Sequence, residues 1–263
     1  MDKEKILAVA RDAAFQAGKY MKNAYGQQWE VEFKGEVDLV TRVDMESQGI
    51  IYGIIKENFP HHSILGEENL KVEKDSKLLW LIDPLDGTTN FAHSLPMFCV
   101  SIAFLVEGEA AVGVVYAPLL GEMFYAVKGG GAFLNEKKIN VSAETDLGNC
   151  LLATGFPYDR RKAKENNVAH FNKFIVRTRG IRRMGAAAID LCYTAAGRFD
   201  GFWEPKLYPW DMAAGFLLVQ EAGGKVTDFS GNPFDPFMRE IVASNGHIHQ
   251  RMLDIINLPE EQY

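Results

Sequence analysis

The stretch Trp80-Leu81-Ile82-Asp83-Pro84-Leu85-Asp86-Gly87-Thr88-Thr89-Asn90 constrains this chain more than any other. It opens apolar, as a buried strand does, then turns abruptly into two carboxylates, a proline, a glycine and two threonines. Asp83 and Asp86 stand three apart with the Leu85 carbonyl between them, hard oxygen donors of the type magnesium prefers. Gly87 lets the backbone come close to a ligand. Thr88, Thr89 and Asn90 are suited to opening a helix, whose free N–H groups attract phosphate. One turn can therefore hold cations on its carboxylates and a phosphate on its amides. A lone Asp-x-x-Asp would read as an Asx-rich turn, but the full string is much harder to obtain by chance.

Leu85-Asp86-Gly87-Thr88 looks like the end of the Asp-x-Asp-Gly-Thr motif of haloacid-dehalogenase-type phosphatases. Their nucleophilic Asp would fall at position 84, which is Pro, so an aspartyl-phosphate mechanism lacks its central residue. Asp83-Pro84-Leu85-Asp86-Gly87-Thr88 instead resembles the inositol monophosphatase family. Gly66-Glu67-Glu68 is similar to the family's Gly-Glu-Glu, and Trp210-Asp211-Met212-Ala213-Ala214-Gly215 to its second signature. Lys34 and Val37-Asp38-Leu39-Val40-Thr41-Arg42-Val43-Asp44 match a further block. The matches come in the right order and span nearly the whole chain.

A chain of 263 residues, 47% hydrophobic, allows one large domain or two intimate subdomains. Its net charge of −7 argues against a broad nucleic-acid surface. An acidic protein that binds a phosphate must locally reverse its field, and bound cations do that. Cys99, Cys150 and Cys192 sit far apart in apolar surroundings, as buried free thiols of a reducing compartment do. The charged start, Met1-Asp2-Lys3-Glu4-Lys5, is neither a signal peptide nor a membrane span. The expectation is a soluble cytoplasmic protein with no nucleic-acid or membrane partner.

Apolar residues at helical spacing predict an amphipathic helix from about 3 to 25, and a second helix runs from Thr41, its cap, to about Asn58. Asp44 in its first turn and Lys34 before it have ordinary readings, a dipole partner and a solvated lysine. Ser63-Ile64-Leu65 reads as a strand delivering Glu67 and Glu68, with Glu68 behind the ligand or in solvent. Three apolar strands between Phe98 and Val127 pair antiparallel, and Gly129-Gly130-Gly131 is a hairpin turn rather than a phosphate loop. A second half begins near Asn149, giving subdomains of about 1–148 and 149–263 in a single 1–263 domain. In it, Gly155-Phe156-Pro157 is a bend, and Arg177, Arg179, Arg182 and Arg183 read as a solvated basic edge or subunit contact, or else as an anchor for a second phosphate. Gly185-Ala186-Ala187 opens a helix, Glu204 ends a strand, and Asp211 lies in the first turn of the next helix.

The pattern gives layered α and β. The resemblance implies an α+β fold, a layered αβαβα sandwich with two antiparallel-rich sheets, working as a homodimer. It also implies Mg²⁺-dependent, lithium-sensitive hydrolysis of a small phosphorylated polyol or sugar, foremost inositol 1-phosphate. Fructose 1,6-bisphosphate, histidinol phosphate, or a regulatory binding role on the same fold are the alternatives. Glu67, Asp83, Asp86, Asp211 and the Leu85 carbonyl are expected to gather two or three Mg²⁺, which clamp the attacking and leaving oxygens. Thr88, oriented by Asp44 and helped by Glu67, would position the attacking water. The amides of Gly87 and Thr88 hold the phosphate, and Asp86, Gly185, Ala187, Glu204 and Asp211 complete the substrate contacts. Ala186 stands where relatives often carry a Thr or Ser hydroxyl, which leaves the substrate's identity open.

Overall fold

In a computed structural model, residues 2–27, 31–33, 39–68 and 76–259 are described. Lys34, Val37, Asp38 and residues 69–75 lie outside them, as does the Thr41 side chain. The chain runs α1 (Lys3–Ala24), β1 (Val31–Phe33), β2 (Leu39–Thr41), α2 (Arg42–Asn58), β3 (Ser63–Gly66), β4 (Leu78–Asp86), α3 (Thr88–Ala92), β5 (Cys99–Val106), β6 (Glu109–Ala117), β7 (Glu122–Val127), β8 (Gly131–Leu134) and β9 (Lys137–Ile139). It continues through β10 (Leu151–Thr154), α4 (Val168–Ile175), β11 (Gly180–Arg182), α5 (Ala187–Ala195), β12 (Gly201–Pro205), α6 (Pro209–Glu221), β13 (Lys225–Thr227), β14 (Glu240–Ser244) and α7 (His249–Ile256).

Strands β3 to β9 form a seven-stranded sheet in sequence order, with β3 and β4 parallel and every later pair antiparallel. The second sheet has five strands in the order β11-β10-β12-β14-β13, where β10 is parallel to both its neighbours and β14 is antiparallel to both of its own. The two sheets are thus both mixed. Helices α1 and α2 cover one face of the larger sheet, α5 and α6 lie between the sheets, and α4 and α7 cover the far face of the smaller one. This is a layered αβαβα sandwich.

Three apolar clusters fill the interfaces between these layers. Strand β4 shows why its sequence reads apolar without a gap. Trp80 and Ile82 pack toward α1 and α2, whereas Leu81 packs toward the central helices, so both faces are buried. The face of α1 that meets the sheet is built from Ala10, Ala13, Ala14, Ala17 and Met21, small enough for close approach. Central helix α6 is apolar on every side from Met212 to Val219, as a helix enclosed by protein must be.

Strand direction positions the functional end of the molecule. Strands β3 and β4 run parallel and end at Gly66 and Asp86; β10, β11 and β12 run parallel in the other sheet and end at Thr154, Arg182 and Pro205. Helices α3, α5 and α6 then begin near those ends, so strand termini and helix N-termini converge. Among the described residues no helix is long and apolar enough to cross a membrane.

Gly113 of β6 sets the spacing of the central layer. A Cβ there would lie 2.9 Å from the carbonyl oxygen of Ala214 on α6, a backbone atom that cannot swing aside. Gly113→Ala should therefore push α6 off the sheet and cost about 1–3 kcal/mol, as overpacking does. At this chain length that is roughly 2–4 °C in Tm per kcal/mol. A thermal melt with an unchanged midpoint would count against this close contact.

Candidate active site

The central motif folds as strand, turn and helix. Asp83, Leu85 and Asp86 lie within β4, whose pairing with β5 shifts register between Asp83 and Asp86. The shift is a local irregularity of the kind that re-aims side chains beside functional sites. Gly87 follows at φ +95, where an L side chain is strained, and a Cβ on it would meet the Met97 carbonyl at 2.9 Å. Thr88 then opens α3 as the sequence leads one to expect.

One cleft, of about 780 Å³ with its open mouth, is lined by Glu67, Asp83, Leu85, Asp86, Gly87, Thr88, Gly185, Ala187, Glu204 and Asp211. Those are the predicted site residues with one addition through a hydrogen bond. The Thr88 hydroxyl lies 2.9 Å from Oδ1 of fully buried Asp44, in the first turn of α2, and 3.1 Å from the Leu85 carbonyl. The residues arrive from both sheets and from the starts of α2, α3, α5 and α6.

Each carboxylate is held by a neighbour. The Leu85 amide donates to Asp83 Oδ1 at 3.0 Å. The Ala188 amide, in the first turn of α5, donates to Asp86 Oδ2 at 2.7 Å. The Tyr208 amide donates to Asp211 Oδ2 at 2.8 Å, at a helix start preset by Pro209. Glu67 is carried by a clamp that the sequence did not announce: the Gln48 side chain donates to the Glu68 carbonyl at 2.7 Å and accepts from the Glu68 amide at 3.1 Å. Glu68 is buried rather than solvated, because that clamp draws it against α2.

The electrostatics of the cleft are those of crowded carboxylates. Burial, then the charges of Glu67, Asp86 and Asp211, push the Asp83 proton affinity well up, against the pull of the Leu85 amide. Burial, then Glu67 and Asp86, raise Asp211 well above its usual range. Asp86 is raised to about 6 by burial, with the Ala188 amide, the Cys99 thiol, the Ala187 amide and Arg183 opposing. Burial lifts Glu204 to about 8, opposed by Arg183. Carboxylates that lift one another's protons beside a backbone carbonyl form a hard-oxygen donor set, and that set fits a divalent cation. Among the described residues no three of them close on a single point.

Around the cleft stand residues to which sequence reasoning gave no role in the site. Asn90 of α3 donates to the Met97 carbonyl at 2.6 Å and the Met184 carbonyl at 2.8 Å, tying α3 to the approach to α5. The Cys99 thiol points at Asp86 Oδ2 at 3.7 Å, so its surroundings are not wholly apolar; β5 brings it under the motif from thirteen residues away. The arginine cluster disperses. Arg183 lines the cleft, whereas Arg177 donates to the Lys173 carbonyl, Arg179 to Asn149 and Arg182 to the Ile181 carbonyl. Only Arg182 lies within β11, with Arg177 and Arg179 ahead of the strand and Arg183 beyond its end, so the four arginines do not make one anchor. Gly155, read only as a bend, lies directly against the Glu204 carboxylate.

Raised carboxylate affinities mean that the folded chain binds more protons than the unfolded one between pH of about 4, the unfolded value, and 8, where Glu204 titrates. Stability then falls as pH rises through that window, because the slope follows protons bound unfolded minus folded. In a chelator, Tm should decline from pH 5 to pH 8, and Mg²⁺ should raise it more at pH 8 than at pH 5. A Tm that is flat or rises across that range in chelator would contradict these shifts.

Residues 2–258 match the Inositol monophosphatase family. An inositol-1-monophosphatase of Synechocystis sp. is 45% identical over 253 residues, covering 95% of this chain and 88% of that protein. The Nus factor SuhB of Pasteurella multocida is 42% identical over 254 residues, 95% of each. The solved inositol monophosphatase of Anabaena (Nostoc) sp. superposes with a TM-score of 0.91 at 41% identity, covering 99% of this chain and 98% of that one. With its carboxylate cleft, layered fold and full-length match, the chain belongs to the inositol monophosphatase family, enzymes that hydrolyse phosphate monoesters.

Proposed function

We propose that this cleft hydrolyses inositol 1-phosphate to myo-inositol and phosphate with Mg²⁺, two or three ions. The observation that carries this reading is the meeting of Glu67, Asp83, Asp86 and Asp211 with the helix starts at Thr88 and Ala187 in one cleft. The name of the Synechocystis relative supports the substrate. Two proposed subdomains, 1–148 and 149–263, are supported by the gap between β9 and β10, where one sheet ends and the other begins. A homodimer as the working state rests on family membership, and a cytoplasmic location on the three free, buried cysteines.

Glu67, Asp83, Asp86, Asp211 and the Leu85 carbonyl would hold the cations. When bound, they supply positive charge that acidifies a water and neutralises the leaving oxygen. Asp44 accepts from the Thr88 hydroxyl, which turns a lone pair of Oγ1 toward the cleft. That oxygen accepts a hydrogen bond from the attacking water and fixes its line of approach, and the proton passes through Oγ1 toward Asp44. The amides of Gly87 and Thr88, at the start of α3, orient the phosphate. Pro84 offers no nucleophile, so water attacks directly in line.

At the other end of the cleft, Glu204 closes β12 and accepts hydroxyls of the leaving group. Its carboxylate is seated where a Cβ on Gly155 would come within 2.1 Å of it. The names of some relatives favour a second reading, a regulatory binding protein on the same fold. The full set of carboxylates in the cleft favours turnover.

Chelation should abolish hydrolysis, and Mg²⁺ should restore it. Asp86→Asn should cost at least about a hundredfold in kcat, the scale of one strong electrostatic contributor. Undiminished turnover in excess chelator would sink the metal reading.

Glu204→Ala should lower kcat/KM for inositol 1-phosphate about ten- to hundredfold more than for 4-nitrophenyl phosphate, the scale of one specific hydrogen bond. Gly155→Ala should reproduce this selectivity change with little loss of Tm, because the clash falls on the end of a flexible side chain. Equal losses on both esters would place Glu204 outside leaving-group recognition.

A further inference from the structure

Asp190 has no part in the chemistry derived so far. It lies in the first turn of α5, is 1% exposed, and lines the cleft beside Glu204 and Arg183. Its Oδ1 has no hydrogen-bond partner. A buried oxygen left unpaired is destabilising, and an apolar side chain of the same shape would avoid the cost. A purely structural carboxylate in such a place would be expected to cap an amide or pair with a guanidinium. Here the first-turn amide of Ala188 is taken by Asp86, and the amide of Asp190 itself bonds the Ala186 carbonyl.

The charges that face Asp190 come from three separate elements. Glu204 lies next to the end of β12, Asp86 ends β4, and Arg183 follows β11. Asp190 and Glu204 oppose a second phosphate. A neutral leaving group rich in hydroxyls satisfies all three side chains, since it donates to the two carboxyl groups and accepts from the guanidinium. That complementarity survives protonation, because a protonated carboxyl keeps an acceptor oxygen. Ala186 strengthens the point by removing a hydroxyl from the same wall of the cleft.

We infer that Asp190 is a specificity-determining residue, which accepts a second leaving-group hydroxyl opposite Glu204. The inference rests on the phosphatase reading above. It disfavours fructose 1,6-bisphosphate, which would carry its second phosphate toward two carboxyl groups.

The test uses the full chain with Mg²⁺ and two esters, inositol 1-phosphate and 4-nitrophenyl phosphate. Failure of the wild type to hydrolyse either ester overturns the phosphatase reading itself, and this inference with it. With turnover established, Asp190→Asn and the apolar isostere Asp190→Leu are compared, and whichever keeps the wild-type Tm is read. The expected result is a fall in kcat/KM on inositol 1-phosphate about tenfold larger than on the aryl ester, carried mainly by KM. Inhibition by free myo-inositol should weaken in step, while inhibition by inorganic phosphate should weaken less. Equal losses on both esters, or unaltered inhibition by myo-inositol, would overturn the assignment.

Discussion

The carboxylate of Asp86 joins the two halves of the molecule. It stands at the end of β4 in the larger sheet and accepts the Ala188 amide of α5, which packs on the smaller one. The first turn of a helix presents N–H groups that need acceptors, and Ala186 at the cap position offers no side-chain oxygen. Asp86 supplies the missing cap from across the cleft. Two further bonds from the same segment act in parallel: Asn90 reaches the Met184 carbonyl ahead of α5, and Ser101 Oγ donates to the Trp210 carbonyl ahead of Asp211. Thus β4, α3 and β5 fix where both central helices begin.

That arrangement is electrostatically expensive. Asp83 is 2% exposed and Glu204 9% exposed, in a chain that is already acidic. Buried carboxylates without compensation destabilise a fold. Three apolar interfaces offset the cost, and the helix starts that face the cleft soften it with their positive ends. The close approach of α6 to Gly113 belongs to the same economy, since a tight central layer keeps Asp211 in register with β4.

The sequence made the motif legible because its residues are contiguous. Strand, turn and helix follow from the order apolar, Asp-Pro-Leu-Asp, Gly, Thr-Thr, and the structure keeps that order in β4, Gly87 and α3. Helix and strand positions along 3–24 and 99–127 follow from periodicity for the same local reason. What stayed hidden depends on contacts between distant positions. Cys99 and Gln48 look like filler until β5 and α2 place them against Asp86 and Glu68. Arg183 could not be told from its neighbours, because it reaches the cleft only where the chain leaves β11, while Arg182 bonds the Ile181 carbonyl outside it. The helix beginning at Ala187 announces itself, but an aspartate four residues into a predicted helix carries no sign of being buried without a partner.

These two kinds of legibility coincide with two ends of the cleft. The proposed phosphate end is centred on one unbroken stretch, Asp83 to Thr88, which Asp44 and the Ala188 amide hold from distant elements. The proposed leaving-group end is assembled from the exits of β10, β11 and β12, which supply Gly155, Arg183 and Glu204, and from the first turn of α5. Each of those positions sits on a separate element, and each can change size or charge without moving β4. Gly155 shows the scale: one methyl group there displaces Glu204, yet nothing of the Asp83 to Thr88 turn lies within 4 Å of it among its three nearest atoms. A scaffold built this way separates the fixed chemistry of ester cleavage from the choice of alcohol. The residues proposed to decide the alcohol are therefore those with the weakest sequence signal, because their meaning lies in what faces them rather than in what adjoins them.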